Sequence, residues 1–353
     1  MHLSELRKQI DKIDEALVAL LNKRAQEATR ISKLKKESKM SAYSAERESH
    51  ILSRLKKMSR GPMGTDELEV IFREILSACR SLRTVLRIAY FGPQGTNTHL
   101  AAIKNFGRSS EYIACESIDD VFNEVDKDGA DYGVVPIENS TEGAVNYTLD
   151  MFFASDLKIC AEATLGITHT LLAKPSGKSI KRIYSNPQVL AQCRKWLVQH
   201  YPGTELVPVS STARAAMIVG DKRDSACIGN KILADIYGLK VIASSIEDLS
   251  SNITRFLVIS RNDSFPSGND KTSILFAVKD KVGALHDVLF SFKKYGINLT
   301  KIESRPSRRK PWEYYFFVDF QGHRSSPDFQ KALKELGKQC IFVKILGSYP
   351  RGN

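Results

Sequence analysis

Long apolar runs are what this sequence lacks most plainly. None reaches the roughly 18 residues that a helix needs to cross a bilayer, and the 42% hydrophobic and 26% charged content is that of a soluble globular chain. The first 30 residues are charged throughout, with no apolar core followed by a small-residue cleavage site, so no secretory signal is expected and the cytoplasm is the expected compartment. Cysteine is sparse and scattered. The six (Cys79, Cys115, Cys160, Cys193, Cys227 and Cys340) include no C-x-x-C, which argues for reduced thiols and against disulfides or a zinc site. The seven histidines form no H-x-x-x-H, so no metal is expected; separately, no cofactor is expected. Blocks of like charge are missing too. The net charge of +12 comes from basic residues interspersed with acids, without a zinc-finger or RNP-type motif, so nucleic acid and membrane are not expected partners.

What is present is uneven. Residues 1–87 carry 19 Lys and Arg against 12 Asp and Glu, more than half of the excess charge in a quarter of the chain. A small anionic substrate accounts for such a local cluster. With 353 residues, two or three domains are expected.

From Leu3 the apolar positions Leu6, Ile10, Ile13, Leu17, Leu20, Ile31 and Leu34 recur at three- and four-residue spacing, as in a long helix packed on a partner. Arg24 falls on that seam, where a guanidinium is tolerated only beside an anion. Lys35, about three turns on, shares nearly the same face, whereas Arg7 is rotated about 100° away and suits a different pocket, such as one in a second copy. Ser44 caps an expected helix from Ala45 to Ser59, with Arg47 and Glu48 in its first turns. Gly61-Pro62-Met63-Gly64 breaks it before a third helix through Cys79 and Leu82. Three helices with so long a first one do not close a compact core, and an intertwined dimer is the expected solution.

Leu86 to Phe91 reads as a buried strand, and Gly92-Pro93-Gln94-Gly95-Thr96 leads into a helix through Phe106, a glycine turn at a helix N-terminus suited to an anion. The turn has no G-K-[ST] and is not a nucleotide loop. Tyr132 to Val135 reads as a strand stopping at Pro136, followed at once by Glu138, Asn139, Ser140 and Thr141. A carboxylate, an amide and two hydroxyls side by side belong in a loop lining a cleft. Ile183 to Ser185 then leads to a helix on which Gln188 and Gln192 share a face; Ser211 to Val219 is helical and Ser225 to Gly229 a strand. Alternating strands and helices indicate an α/β domain of two lobes with a cleft between them. Ser251 to Phe256 precedes the strand Leu257 to Ile259.

After a polar linker, Asn262 to Lys271, strands at Thr272–Val278, Asn298–Ser304, Trp312–Phe320 and Cys340–Leu346 and helices at Ala284–Tyr295 and Pro327–Leu336 follow in βαββαβ order. That order is the ferredoxin-like arrangement.

Four segments carry a family resemblance. The Gly92 to His99 turn, Pro136 to Asp150, the Ser185 and Gln188 region and Thr254-Arg255-Phe256 together resemble the signatures of prephenate dehydratases over about residues 87–262. Leu6-Arg7, Asn22-Lys23-Arg24, Lys33-Leu34-Lys35 and Glu46-Arg47-Glu48 resemble the all-helical class of chorismate mutase. Gly283-Ala284-Leu285 and Glu303-Ser304-Arg305-Pro306 resemble the phenylalanine-binding motifs of ACT domains. The whole chain is similar to the bifunctional chorismate mutase/prephenate dehydratase family, the P-proteins. The implied architecture is multidomain: an all-α three-helix mutase domain (1–85), a two-lobed, periplasmic-binding-protein-like α/β dehydratase domain (86–262) and a ferredoxin-like α+β ACT domain (272–350).

The resemblance also implies roles. In the mutase domain Arg7 serves the partner's site, Arg24 and Arg47 bind carboxylates, Lys35 meets the ether oxygen and Glu48 the substrate hydroxyl, with Ser44, Cys79 and Arg83 alongside. Arg83 stands where a Gln or Glu is usual, so a dehydratase whose helical arm only dimerises is an alternative. In the dehydratase domain Thr254 is the implied donor to the departing hydroxyl, aided by Glu138, Asn139, Gln192 and Ser185. Thr96, Ser140, Gln188, Asn252, Arg255 and Phe256 are the implied substrate contacts, Arg255 as a salt-bridge partner or a carboxylate ligand. Asn186 replaces a usual His. The implied partners are chorismate, prephenate, the effector L-phenylalanine and further copies of the chain, as dimer or tetramer. A catalytically silent amino-acid sensor is a second alternative, against which Thr254 and Glu138 speak.

Overall fold

The computed structural model describes all residues except 1, 2, 39, 40, 176–178, 250, 308–313 and 353, and the side chain of Lys36. The chain divides into two compact units, Met1–Arg87 with Ile103–Glu111, and Ile88–Ala102 with Tyr112–Asn353.

The first unit is built on α1 (Leu3–Glu37), α2 (Ala45–Met58) and α3 (Thr65–Ser81). Both α1 and α2 pack on α3. The Ser44 hydroxyl accepts a hydrogen bond from the Arg47 amide at 3.3 Å, satisfying one of the unpaired donors that start α2. Along α1 the expected apolar row is almost wholly exposed, Ile10 at 55%, Ile13 at 58%, Leu17 at 51% and Leu20 at 63%. Within the chain this row has no cover among the described residues.

In the second unit β1 (Arg87–Phe91), α4 (Asn97–Phe106, whose last turn from Ile103 belongs to the first unit), β2 (Glu111–Cys115), α5 (Ile118–Asp126), β3 (Tyr132–Asn139), β4 (Gly143–Ala144), α6 (Asn146–Ala154) and β5 (Lys158–Gly166) form a first lobe. The chain then crosses to a second lobe of β6 (Thr170–Ala173), β7 (Arg182–Ser185), α7 (Pro187–Gln192), α8 (Arg194–His200), β8 (Glu205–Pro208), α9 (Thr212–Gly220), β9 (Ser225–Gly229), α10 (Ile232–Tyr237) and β10 (Lys240–Ala243). It returns as β11 (Ile253–Ser260), which takes a central place in the first sheet, of order β2-β1-β3-β11-β5 with β4 beside β3; the second sheet has the order β10-β6-β9-β7-β8. Two crossings therefore connect the lobes, and the residues just before β11 lie on one of them.

The strand expected to stop at Pro136 continues to Asn139, and the segment expected to precede a strand is the strand β11 itself. A register shift between Arg255 and Phe256 accommodates the proline: β1 has left the ladder at Val134, and β3 itself bulges, with Ile137 the extra residue beside Pro136. Helix α5 shows how locally some elements are specified. Ser117 and Asp120 exchange hydrogen bonds in a capping box, the Ser117 hydroxyl accepting from the Asp120 amide at 3.1 Å, and Ile118, Val121, Phe122 and Val125 supply one buried stripe.

β12 (Asp270–Val278), α11 (Ala284–Lys294), β13 (Leu299–Pro306), β14 (Tyr314–Gln321), α12 (Pro327–Gln339) and β15 (Cys340–Pro350) complete the unit, with sheet order β13-β14-β12-β15. This is the ferredoxin-like βαββαβ arrangement; Trp312, the expected start of its third strand, lies outside the described residues. One face of the sheet packs on α11 and α12 through Ile274, Phe276, Val318 and Phe320. The other joins the core of the first lobe, where Leu275, Phe317, Leu346 and Tyr349 meet Val135, Phe152, Leu257 and Ile259. Burial of apolar surface thus holds the third sheet against the first lobe as one body.

Candidate active sites and effector site

The register of β3 and β11 places Thr254 opposite Asn139 and Arg255 opposite Glu138. At the first of these rungs the Asn139 amide nitrogen donates to the Thr254 hydroxyl at 2.7 Å and to the Asn252 side-chain oxygen at 2.8 Å. Because the threonine oxygen accepts, its own proton is left to point elsewhere. The Asn139 oxygen in turn accepts from the Thr141 amide at 2.9 Å and hydroxyl at 2.6 Å, which fixes the loop after β3.

The second lobe reaches the same group. Gln192, at the end of α7, donates to Thr141 at 3.3 Å and to Glu142 at 3.2 Å, and accepts from Asn252 at 3.3 Å. Gln188, one turn earlier, donates to the other oxygen of Glu142. His169, at the crossing into the second lobe, bonds Gln192 at 2.7 Å. Hydroxyls and carboxamides from both lobes and from β11 therefore form one connected network across the cleft.

Other expected residues lie elsewhere. Ser185 is fully buried and donates to the Ile228 carbonyl at 2.8 Å, so its hydroxyl is engaged inside the second lobe. Phe256 is 1% exposed, in the core. Ser140 bonds the backbone on both sides of Asn252, its hydroxyl donating to the Ser251 carbonyl and accepting from the Ile253 amide, and so ties the loop to the approach to β11. Thr96 caps α4: its oxygen accepts from the His99 amide at 3.3 Å and its proton goes to the Phe91 carbonyl at 3.2 Å. The Gly95 amide donates to His99 Nδ1 at 3.2 Å, and burial lowers the His99 pKa, which suits a neutral ring that accepts there. The glycine turn thus uses donors of its own internally. Gly95 has φ +88°, and a Cβ there would lie 2.5 Å from Leu233 of the second lobe, so close approach of the lobes also requires the glycine.

Arg255 does not point into the cleft. Its guanidinium meets Glu162 at 2.7 Å, Asp319 at 2.6 Å and the Tyr349 hydroxyl at 3.0 Å, which gives it the salt-bridge role rather than that of a carboxylate ligand. Lys271 adds a second cation to Glu162 at 2.8 Å. Burial alone would raise the Glu162 carboxyl, but Arg255 and Lys271 together outweigh it and hold the group below its ordinary 4.5. Glu138, 40% exposed at its side chain, lies 3.8 Å from Arg255 and 2.9 Å from Lys301 of β13. Among the described residues no cluster of His, Cys, Asp and Glu is suited to a metal ion.

In the third sheet Gly283 precedes α11 at φ +78°, a conformation that favours glycine, with Ala284 buried and Leu285 packed on the helix-side core. Lys301, Glu303 and Arg305 pair with Asp319, Phe317 and Tyr315, so they share the face turned to the first lobe. Ser304 and Pro306 face the other way and are exposed. Arg305 makes a two-bond pair with Asp150 of α6, at 3.1 and 3.0 Å.

The helical unit brings a second group together. Glu48 pairs with Arg80, which also donates to the Phe106 carbonyl at 2.6 Å and lies over the Tyr43 ring at 5.4 Å. Burial raises the Glu48 carboxyl above its ordinary value, with Arg80 opposing. Burial lowers the Lys35 ammonium, with Glu46 and Glu48 opposing, and Lys35 donates to the Ser41 carbonyl at 3.2 Å. Arg24 and Cys79 are half-buried, Arg7 and Arg47 are exposed, and Arg83 lies exposed beyond the end of α3. Arg80 and not Arg83 is thus the arginine turned into the unit.

Sequence reasoning passed over Arg80, Glu142, Glu162, His169, Lys301 and Asp319. Two of the three acids carried a readable signal: Glu162 stands in Ile-Cys-Ala-Glu-Ala and Asp319 in Phe-Phe-Val-Asp-Phe, and a lone acid in an apolar strand needs a buried cation.

A cleft of hydroxyls, carboxamides and the Glu142 carboxylate between two α/β lobes, held to a ferredoxin-like module at the strand bearing Thr254, defines an enzyme of the two-lobed α/β class with an attached regulatory module. Three family models match in chain order: chorismate mutase type II over residues 6–84, prephenate dehydratase over 88–264 and ACT domain over 272–338. The chain is 47% identical over 354 residues to the bifunctional chorismate mutase/prephenate dehydratase of Aquifex aeolicus (strain VF5), covering 99% of this chain and 98% of that one. It is 45% identical over 356 residues to the protein of the same description from Stutzerimonas stutzeri, with the same coverage of each. A crystal structure of prephenate dehydratase from Arthrobacter aurescens in complex with L-Phe superposes with a TM-score of 0.70 at 36% identity, covering 75% of this chain and 90% of that one. The chain belongs to the bifunctional chorismate mutase/prephenate dehydratase family.

Proposed function

We propose that the chain catalyses two successive steps toward phenylalanine: rearrangement of chorismate to prephenate in the helical unit, then conversion of prephenate to phenylpyruvate in the two-lobed cleft. In the second reaction the bond from the ring to its carboxylate breaks and releases carbon dioxide. The electron pair enters the ring, and the ring hydroxyl opposite leaves, taking up a proton to depart as water. Aromatisation drives the step, so the protein's task is to orient the ring and to hydrogen-bond the departing oxygen. The single observation that carries this reading is the 2.7 Å bond from Asn139 to Thr254, which occupies a lone pair of the threonine oxygen and leaves its own proton for another acceptor. A threonine hydroxyl is too weak an acid to give up its proton outright, so Thr254 acts as a positioned donor, with Asn139 and Gln192 fixing its surroundings. Ser185 and Phe256 support the walls of this site, and Arg255 holds β11 in place.

The first reaction breaks an ether C–O bond as a C–C bond forms, and needs a clamp on a dicarboxylate and a cation near the ether oxygen. Lys35 supplies that cation, Glu48 the contact to the substrate hydroxyl, and Arg24 and Arg47 the carboxylate contacts. The exposed row on α1 supports a second copy of the chain as its cover, bringing Arg7 to the partner's site. Phenylalanine is the proposed effector, bound at Gly283–Leu285 and Glu303–Pro306 between the ACT domains of two copies. It favours a less active state.

A time course with purified protein tests the reading. Chorismate and prephenate are supplied separately, each with and without phenylalanine, and prephenate and phenylpyruvate are followed. Phenylpyruvate is expected from both substrates and suppressed by phenylalanine. Turnover of prephenate alone would reduce the helical unit to a dimerisation arm, and turnover of neither would remove the catalytic reading.

A further inference from the structure

The junction between the first and third sheets is more ordered than cohesion alone requires. Thr254 and Asn139 form one rung of the β3/β11 ladder, and Arg255 and Glu138 form the next. On the facing sheet Lys301 and Asp319 form a rung of the β13/β14 ladder, two residues before Glu303. The two charged rungs meet with opposite signs in register: Arg255 to Asp319 at 2.6 Å, Lys301 to Glu138 at 2.9 Å, and Arg255 to Glu138 at 3.8 Å across the square.

The edges of this square differ. Arg255 is held by three groups at once, and Asp319 is fully buried and also accepts from Ser273 at 2.5 Å, so that edge is fixed. At the other edge the Lys301 side chain is 8% exposed and its ammonium lacks a well-aligned hydrogen bond, while Glu138 is 40% exposed and stands directly before Asn139 and the cleft loop. One edge anchors the two sheets and the other is able to shift. A strand rises about 3.3 Å per residue, so a displacement at Glu303 acts on Lys301 over about 7 Å of stiff, laddered backbone. Glu138 is in turn the residue before Asn139.

Building on the phenylalanine-inhibited dehydratase reading above, we propose that the Lys301–Glu138 pair transmits effector binding to the catalytic rung. A ligand on the Glu303–Pro306 segment shifts β13, Lys301 draws Glu138 with it, and the Asn139–Thr254 hydrogen bond is displaced from its productive geometry. Arg255 and Asp319 keep the sheets docked meanwhile, so the motion concentrates at Glu138. The effector acts through a differential contact, as a coupling between two sites requires.

The test uses the full-length chain. Wild type, K301Q and K301R are assayed for prephenate turnover without and with saturating phenylalanine, phenylalanine binding is measured by calorimetry, and the melting temperature reports folding of the second unit. K301Q is expected to bind phenylalanine within about threefold of wild type while its suppression ratio falls about fivefold or more, the lower end of ordinary allosteric coupling, and K301R is expected to keep most of the ratio. An unchanged suppression ratio in K301Q overturns the inference. If K301Q fails to bind phenylalanine, E138D, which keeps a carboxylate on β3 but shortens its reach to Lys301, decides by the same ratio, read against its own uninhibited rate. A wild-type chain that turns over no prephenate, or that ignores phenylalanine, would instead refute the proposed function and leave a different signature.

Discussion

At the scale of single residues, an ordinary threonine becomes useful through what surrounds it. Thr254 is a weak acid, but the Asn139 amide occupies one of its lone pairs and leaves its proton to be donated elsewhere. Replacing Thr254 by alanine is therefore expected to lower dehydratase kcat about 100-fold or more, in the range of a lost general-acid or hydrogen-bond donor. T254S, which restores the hydroxyl, should recover most of that rate, and mutase turnover should not move in either variant. A dehydratase rate in T254A within threefold of wild type would remove the residue from the mechanism. Thr254, Asn139 and Gln192 were legible in the sequence because they sit in short polar motifs. The engagement of Ser185 was not legible, because the carbonyl that takes its proton belongs to Ile228, on the neighbouring strand of the second sheet.

At the scale of elements, helices and strands followed periodicity closely, and the exceptions have local causes. β3 passes through a proline because β1 has ended before it and β3 itself bulges beside it, at Ile137. In α1 the seam was readable, but its partner was not, because a row of leucines and isoleucines does not say which surface covers it. If a second copy is that surface, Leu17→Lys together with Ile13→Lys should halve the mass seen by light scattering and abolish mutase turnover while prephenate turnover persists. An unchanged mass would show that another part of the chain holds the assembly. The arginine turned inward at the end of α3 is Arg80 rather than Arg83, which the fold decides through the Phe106 carbonyl and the Tyr43 ring, both distant in sequence.

At the scale of the whole molecule, three sequence modules give two compact units, because the ferredoxin-like module shares both a hydrophobic core and a buried ion cluster with the first lobe. The cluster makes stability depend on acid. Glu162 is held below its ordinary carboxylate value of 4.5, so its contribution is fully present above about that pH and is lost as the pH falls through its lower folded value. The melting temperature of the second unit is therefore expected to fall between about pH 5 and 3. E162Q, which leaves Arg255 and Lys271 short of an anion, should begin lower at pH 7, by roughly 3–5 kcal/mol of stability, and show a weaker fall in acid. An equal acid slope in wild type and E162Q would mean that other carboxylates control it. The same crossed square of charges also limits how such a chain can be rebuilt. An effector module borrowed from elsewhere and spliced in after β11 would bring its own residues to face Arg255 and Glu138. Unless it offered an acid and a base in the places of Asp319 and Lys301, the graft would bury unmatched charge, so a chimera must match its new module at this seam as well as at the linker.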